Sequence, residues 1–221
     1  LSFIDRSTGE IISCDVLVCT LPYSKYTYIE AMVTACQENL YSALSRCLGF
    51  LGGAPMTVLS DNMKQFVQKN SRYEFTFQAL AEQWSVHYNT CLDATRPRKP
   101  KDKPTVENHV NCIYSSVYGK LRDAEFHSLA ELNEAIKPLL VDFNKAKFQK
   151  LPGSREEVFT VHEQPLLKPL PPEHFVIKRT TSAKVQFNYH VSLGENQHYY
   201  SVPYQHIGKQ VKIIYDQVSV E

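Results

Sequence analysis

The chain has 221 residues, 43% of them apolar and 21% charged, with a formal net charge of +1. That is ordinary globular composition, and the length suits one domain plus a small one. It excludes an overall polycation, so any nucleic-acid site must be a local patch, and no apolar run is long enough to span a bilayer.

The sequence opens at a Leu inside a strand-like pattern, with no secretory signal read at its start, and is expected to be part of a longer protein. "LSFID" (1–5) reads as a short strand and "RSTGE" as a turn. "IISCDVLVCTL" (11–21) continues as strand, and its second half has the apolar texture of a strand buried on both faces. "PYSK" is a turn, and "YTYIEAMV" (26–33), rich in aromatic and β-branched residues, is a strand. The first part of the chain is therefore expected to be an antiparallel meander. Over 37–51 the period changes: Leu40, Leu44, Cys47, Leu48 and Leu51 share one helical face, and Gly52 and Gly53 end it. "PMTVLSDN" (55–62) reads as a short buried strand ending at Asp61 and Asn62. Residues 74–87 read as a helix with Phe77, Leu80, Ala81 and Trp84 on one stripe, and "HYNTCLDA" (87–94) as another short strand.

"RPRKPKDKPTVENHV" (96–110) follows, a proline-stiffened basic loop that runs into a helix. Val106, Val110, Ile113, Val117 and Leu121 keep core-facing helical spacing, and Glu107, Asn111, Tyr114 and Tyr118 form the adjacent stripe. Pro104 suits the helix start, and Glu107 lies in the first turn, where the helix dipole favours an anion. Ser128 and Glu131 have the spacing of a capping box. They open a helix with the stripe Leu132, Ile136, Leu139, Leu140 and Phe143, in which Pro138 is expected to make a kink or a break. From about Leu151 the sequence is proline-rich and reads as linker; from about 173 it is short alternating strands, the pattern of a small barrel. Six cysteines, Cys14, Cys19, Cys36, Cys47, Cys91 and Cys112, lack metal or redox spacing and are expected as buried, reduced thiols.

The order of elements puts Asp61 at the carboxyl end of a strand, where open α/β sheets bind ligands. Glu107, one turn into its helix, can reach the same edge. Two carboxylates beside a basic loop suit Mg²⁺, which takes a few carboxylate oxygens plus water and phosphate. Two such ions serve phosphodiester chemistry. The same residues also fit plainer roles: Asp61 as a cap of the "SDN" turn and Glu107 as a surface acid compensating the dipole. The eight histidines form no metal-binding pair, and His109 is read as ordinary surface or core.

Six stretches carry a resemblance in a fixed order along nearly the whole chain. They are "LPYSKYTYIEA" (21–31), "LSDNMKQFV" (59–67), "RPRKPKDKPTVENHV" (96–110), "HSLAELNEAI" (127–136), "FQKLPGSREEVF" (148–159) and "NYHVSLGENQHYYSVPY" (188–204). Together they resemble the IstA-type DDE transposases of bacterial insertion sequences that also encode an IstB-type AAA+ ATPase. The resemblance implies an α/β fold, an RNase H-like, integrase-type mixed sheet with flanking helices, followed by a small all-β barrel. The implied domains are a catalytic core over 1–147 lacking its first strand, a proline-rich linker over 148–172 and a barrel over 173–221.

The resemblance also makes Asp61 and Glu107 the second and third metal-binding, catalytic carboxylates. The first has no match in residues 1–221, Asp5 and Asp15 being rejected as substitutes, and is expected upstream. Arg96, Arg98, Lys99, Lys101 and Lys103 are expected to hold DNA phosphates, and Asn111 to support Glu107. The implied cofactor is Mg²⁺, two ions, with Mn²⁺ able to substitute. The implied chemistry is transesterification, in which hydrolysis at the element's end frees a three-prime hydroxyl that then attacks target DNA. The implied partners are transposon-end and target DNA, the IstB-type ATPase and further copies of the chain on DNA, in the bacterial cytoplasm at the nucleoid. Two other readings stand beside this one: a non-catalytic DNA-binding or assembly module lacking the first Asp, and an RNase H-like nuclease that cuts without joining.

Overall fold

The computed structural model describes residues 1–60, 63–70, 75–94, 112–149, 151–193, 198–216 and 219–220. They form two compact units, Leu1–Phe175 and Val176–Glu221.

The first unit opens as the expected meander. β1 (Ser2–Ile4) pairs antiparallel with β2 (Ile11–Ser13), and β3 (Asp15–Thr20) with β4 (Thr27–Met32), in unbroken register from Asp15↔Met32 to Thr20↔Thr27. The expected continuous strand is interrupted at Cys14. β3 is half-buried rather than buried on both faces, and its single ladder partner among the described residues is β4. α1 (Gln37–Leu51) buries all five residues of its predicted stripe and ends at Gly52, whose φ of +76° suits a residue without a side chain.

One face of the β3–β4 sheet, through Val16, Val18, Ile29 and Ala31, packs on Ile113, Val117 and the helix α4 (Leu129–Lys145). The other, through Cys19 and Tyr28, meets Cys47 and Leu51 of α1. The sheet is thus covered by helices on both sides, the layered arrangement of α/β folds.

α4 does more than cover the sheet. The side-chain amides of Asn133 and Asn144 each bond twice to the backbone of β4. Asn133 accepts from the Ala31 N–H (2.8 Å) and donates to the Ala31 C=O (3.0 Å). Asn144 accepts from the Thr27 N–H (3.1 Å) and donates to the Thr27 C=O (2.8 Å). Eleven residues are close to three helical turns, so both project from one face. They span about 16.5 Å along the helix against about 14 Å between Thr27 and Ala31 along the strand. Two asparagines thereby act as the next strand of the ladder and close the exposed edge of β4. Pro138 lies inside α4, which continues across it. Ser128 accepts from Glu131 N–H as predicted, but Glu131 reaches back to His127 N–H rather than to Ser128.

β5 (Thr57–Ser60) pairs in parallel with β8 (Cys91–Ala94). Between them lie β6 (Val67–Asn70) and β7 (Phe75–Phe77), an antiparallel pair, and α2 (Ala79–His87). Phe77 therefore sits in a strand and not in the helix expected over 74–87. Its aromatic and β-branched neighbours "FTF" favour extended backbone once β6 offers a partner. Trp84, with 0% exposure, joins α2 to α1 by donating from Nε1 to Ser45 Oγ and packing on Tyr41.

Residues 148–149 and 151–172, in the stretch expected as linker, are folded against the rest of the first unit. Ser154 and Glu157 form a reciprocal capping box at the start of α5 (Arg155–Val158), and Ala54 and Lys168 exchange backbone hydrogen bonds. The Glu163 carboxylate accepts from the N–H groups of Tyr23 and Ser24, and Tyr26 stacks on Phe159 at 4.3 Å. Two of the six resemblance stretches, near 21–31 and 148–159, are thus a turn and the clasp that holds it. Proline-rich composition alone did not reveal these long-range partners.

The second unit is all-β: β9 (Arg179–Lys184) pairs with β12 (Gln210–Tyr215), and β10 (His190–Leu193) with β11 (His198–Ser201), around Val185, Val191, Leu193 and Ile213.

Three of the six cysteines depart from expectation. Cys47 is buried and Cys14 and Cys19 are half-buried, but Cys36, Cys91 and Cys112 are exposed; all six are free thiols. The exposed three sit at element ends, where an apolar pattern does not enforce burial.

Candidate active site

The predicted site residues Asp61, Glu107, Arg96, Arg98, Lys99, Lys101 and Lys103, with Asn111 and His109, lie outside the described residues. The frame on either side of them in sequence is described. β5 and β8 are in register, Thr57↔Cys91 to Ser60↔Ala94. Both strands go from an exposed amino end to a buried carboxyl end, Ser60 being 7% exposed and Ala94 4%. Asp61 follows Ser60 directly, and the basic segment begins two residues after Ala94. Parallel strands whose carboxyl ends are aligned offer the kind of edge at which α/β sheets place ligands.

On the far side of the basic segment the chain is helical. Ile113 and Val117 are completely buried and Leu121 nearly so, which keeps three of the five core positions predicted for this helix. Tyr114–Tyr118 is a π-helical turn that runs on into α3 (Gly119–Leu121). A π-turn adds a residue to the repeat and is frequent at functional sites. Tyr114, exposed, packs edge-on against half-buried Tyr118 at 4.6 Å, as the predicted stripe Glu107, Asn111, Tyr114, Tyr118 requires. Burial first, and the nearby Tyr114 second, push the Tyr118 phenol up to about 12. Beside this pair opens a cleft of about 420 Å³ lined also by Arg122 and Phe126.

Asp5 and Asp15, the nearest alternatives to the missing first carboxylate, bond to nearby backbone and hydroxyl groups. Asp5 accepts from the Ser7 N–H and hydroxyl, bonds that hold its carboxyl below the usual range. Asp15 accepts from the Ala35 N–H. Asp5 thus sits in the turn and Asp15 at the start of β3, the placements read for them from the sequence. Among the described residues no group of three or more His, Cys, Asp or Glu could hold a metal ion.

Sequence reasoning missed a second charged cluster. Arg46 of α1 makes a two-pronged contact with Glu30 of β4 (2.6–3.1 Å), which also accepts from Tyr28 Oη (2.6 Å). The three residues share the face of the sheet under α1; the signal for it was a strand carboxylate among apolar residues.

Comparison with known proteins agrees with this frame. The family model described as the Mu transposase C-terminal domain matches residues 170–221. The chain is 37% identical over 196 residues to a protein named as a transposase for insertion sequence IS408 in Burkholderia multivorans, covering 89% of this chain and 38% of the relative. It is 36% identical to one so named for IS1162 in Pseudomonas fluorescens, covering 92% and 36%. It is 28% identical to the transposase for insertion sequence element IS21 of Pseudomonas aeruginosa, covering 93% and 52%. The chain thus spans between a third and about half the length of these relatives. Among solved structures, it resembles a chain of the simian T-cell lymphotropic virus intasome in complex with a PP2A regulatory subunit (TM-score 0.56, 12% identity, 83% of this chain and 60% of that one). It also resembles the BIV integrase catalytic core domain (TM-score 0.53, 13% identity, 75% and 94%). At such identities the likeness is one of fold: the mixed α/β, RNase H-like arrangement of integrase cores.

Proposed function

The chain is a homologue of insertion-sequence transposases, that of IS21 among them, and on that premise we propose that it carries the catalytic core of a DDE transposase. The observation that carries the reading is the 37% identity over 89% of the chain; the aligned carboxyl ends of β5 and β8, directly ahead of Asp61 and the basic segment, support it.

In this reading Asp61 and Glu107 are catalytic and hold Mg²⁺, two ions, for which Mn²⁺ can substitute. The donor set fits, because two carboxylates are hard oxygen donors of the kind Mg²⁺ takes alongside water and phosphate oxygens. When bound, the metal supplies positive charge to the attacking and leaving oxygens of an in-line displacement. Arg96, Arg98, Lys99, Lys101 and Lys103 bind backbone phosphates, a sequence-independent contact that sets the position of the scissile bond. The reaction is hydrolysis at the element's end, leaving a three-prime hydroxyl, followed by attack of that hydroxyl on a target phosphodiester. One P–O bond forms and one breaks in each step, and no covalent enzyme intermediate is needed. DNA ends, target DNA, further copies of the chain and an IstB-type ATPase are the partners in this reading.

The test is joining of a pre-cut element end to plasmid DNA, with Asp61→Asn and Glu107→Gln made in the protein as encoded. Both substitutions should abolish joining while DNA binding persists. Joining by Glu107→Gln at near the unsubstituted rate would remove Glu107 from the site, and binding without joining by every version would favour the DNA-binding module.

A further inference from the structure

The turn joining β9 to β10 holds a tyrosine where its geometry favours glycine. Tyr189 N–H donates to the Gln186 C=O, and Gln186 N–H donates to the His190 C=O, closing a tight hairpin turn. Tyr189 is left at φ +64°, the left-handed region that glycine enters freely and bulky residues enter under strain. Short hairpin loops with a left-handed residue usually place glycine there. A strained side chain of this kind directs attention to what that side chain does.

Phe187, at the apex of the turn, is 91% exposed, and Tyr189 is 50% exposed. On the adjoining hairpin Tyr199 is 63% exposed and meets the His190 ring edge-on. Tyr199 stands opposite Ser192, whose neighbours Val191 and Leu193 are buried, so Tyr199 and His190 share the outer face.

The surroundings are cationic. Exposed Lys184 precedes Val185 in sequence, and exposed Lys209 accepts the Val185 N–H at its backbone C=O, which brings both lysines to the base of the turn. From residue 176 to 221 the sequence has five Lys or Arg against three acids, Glu195, Asp216 and Glu221. The Asp216 carboxylate accepts from the N–H and hydroxyl of Ser219. Exposed aromatic faces beside lysines complement a polyanion that offers flat apolar surfaces of its own.

We propose that this aromatic tip binds unpaired DNA, with Phe187, Tyr189 and Tyr199 stacking on bases and Lys184 and Lys209 holding phosphates. The inference rests on the transposase reading and deepens it: this unit would hold nucleotides whose base faces a duplex conceals, such as a single-stranded overhang or a splayed end. Stacking on aromatic side chains tolerates any sequence, since every base has such a face.

The test uses the whole chain with a single-stranded oligonucleotide carrying 2-aminopurine, beside the duplex of the same sequence, over a salt series. Binding should quench the 2-aminopurine emission. Phe187→Ala combined with Tyr199→Ala should weaken single-strand binding about tenfold or more, the scale of one or two lost stacks, with duplex affinity unchanged. Tyr189→Gly should weaken it while melting no lower than the unsubstituted chain, because the strained φ is relieved. Lys184→Gln with Lys209→Gln should flatten the salt dependence. If the aromatic variants bind the single strand as the parent does, the inference is overturned and the transposase reading stands. If the parent chain binds neither DNA, the inference is overturned, and the transposase reading is decided separately by the joining assay.

Discussion

Asn144→Leu removes the side-chain amide that completes the edge of β4 while keeping the side chain's size. Asn144 is 2% exposed and Thr27 is fully buried. The ladder bonds next to Thr27 run between Leu21 N–H and Tyr26 C=O, so Thr27, in the alternate pair, points its N–H and C=O away from β3 and toward Asn144. Leucine leaves both groups in a site that water does not reach. Each buried, unsatisfied group costs about 1–3 kcal/mol, so the pair should cost roughly 2–5 kcal/mol, partly offset by the added apolar burial of leucine. At about 2–4 °C per kcal/mol for a unit of this size, the melting temperature should fall by roughly 4–20 °C. Urea unfolding followed by fluorescence of Trp84, the sole tryptophan and fully buried in the first unit, measures the change without interference from the second unit. Asn133→Leu should cost less, because Asn133 is half-buried where Asn144 is buried. A change below about 0.5 kcal/mol for Asn144→Leu, the level of ordinary surface substitutions, would refute the claim that these amides substitute for a neighbouring strand.

Burial raises the phenols of Tyr28 and Tyr41 well above their ordinary value, with the Glu30 carboxylate adding to the effect at Tyr28. The unfolded phenols ionise near pH 10, so this stability is fully present below about pH 10 and is lost as pH rises beyond it; Tyr28→Phe should flatten the alkaline limb of a stability–pH curve. A Cβ at Gly53 would lie 2.6 Å from Leu167 Cβ and 2.8 Å from the Lys168 C=O. Gly53→Ala should therefore push the 167–168 segment away and cost about 1–3 kcal/mol, with faster proteolysis within 148–172 as a second readout. In the basic segment, Arg96→Gln, Lys99→Gln and Lys101→Gln together should make the slope of log affinity against log salt on duplex DNA shallower. The expected change is roughly 0.9 for each phosphate that is no longer neutralised, with the melting temperature unchanged.

Much of the architecture was legible in residue order. The α1 stripe, the Gly52 stop, the Ser128 cap and the positions Ile113, Val117 and Leu121 follow from local periodicity and capping, which need no knowledge of distant partners. Asp61 and Glu107 were singled out by their residue types beside a strand end and a basic segment, and the family resemblance gave each a role. What failed did so where a partner outside the element itself decides. Phe77 became a strand residue because β6 stands beside it. The proline-rich stretch became a clasp because Glu163 finds two N–H groups about 140 residues away and Tyr26 finds Phe159. Asn133 and Asn144 read as ordinary polar helix positions, since nothing local marks an amide that will meet a strand edge. Periodicity determines which face of an element turns inward; only the packed structure determines which backbone groups that face must satisfy, because hydrogen bonds between distant segments exist only once both are in place.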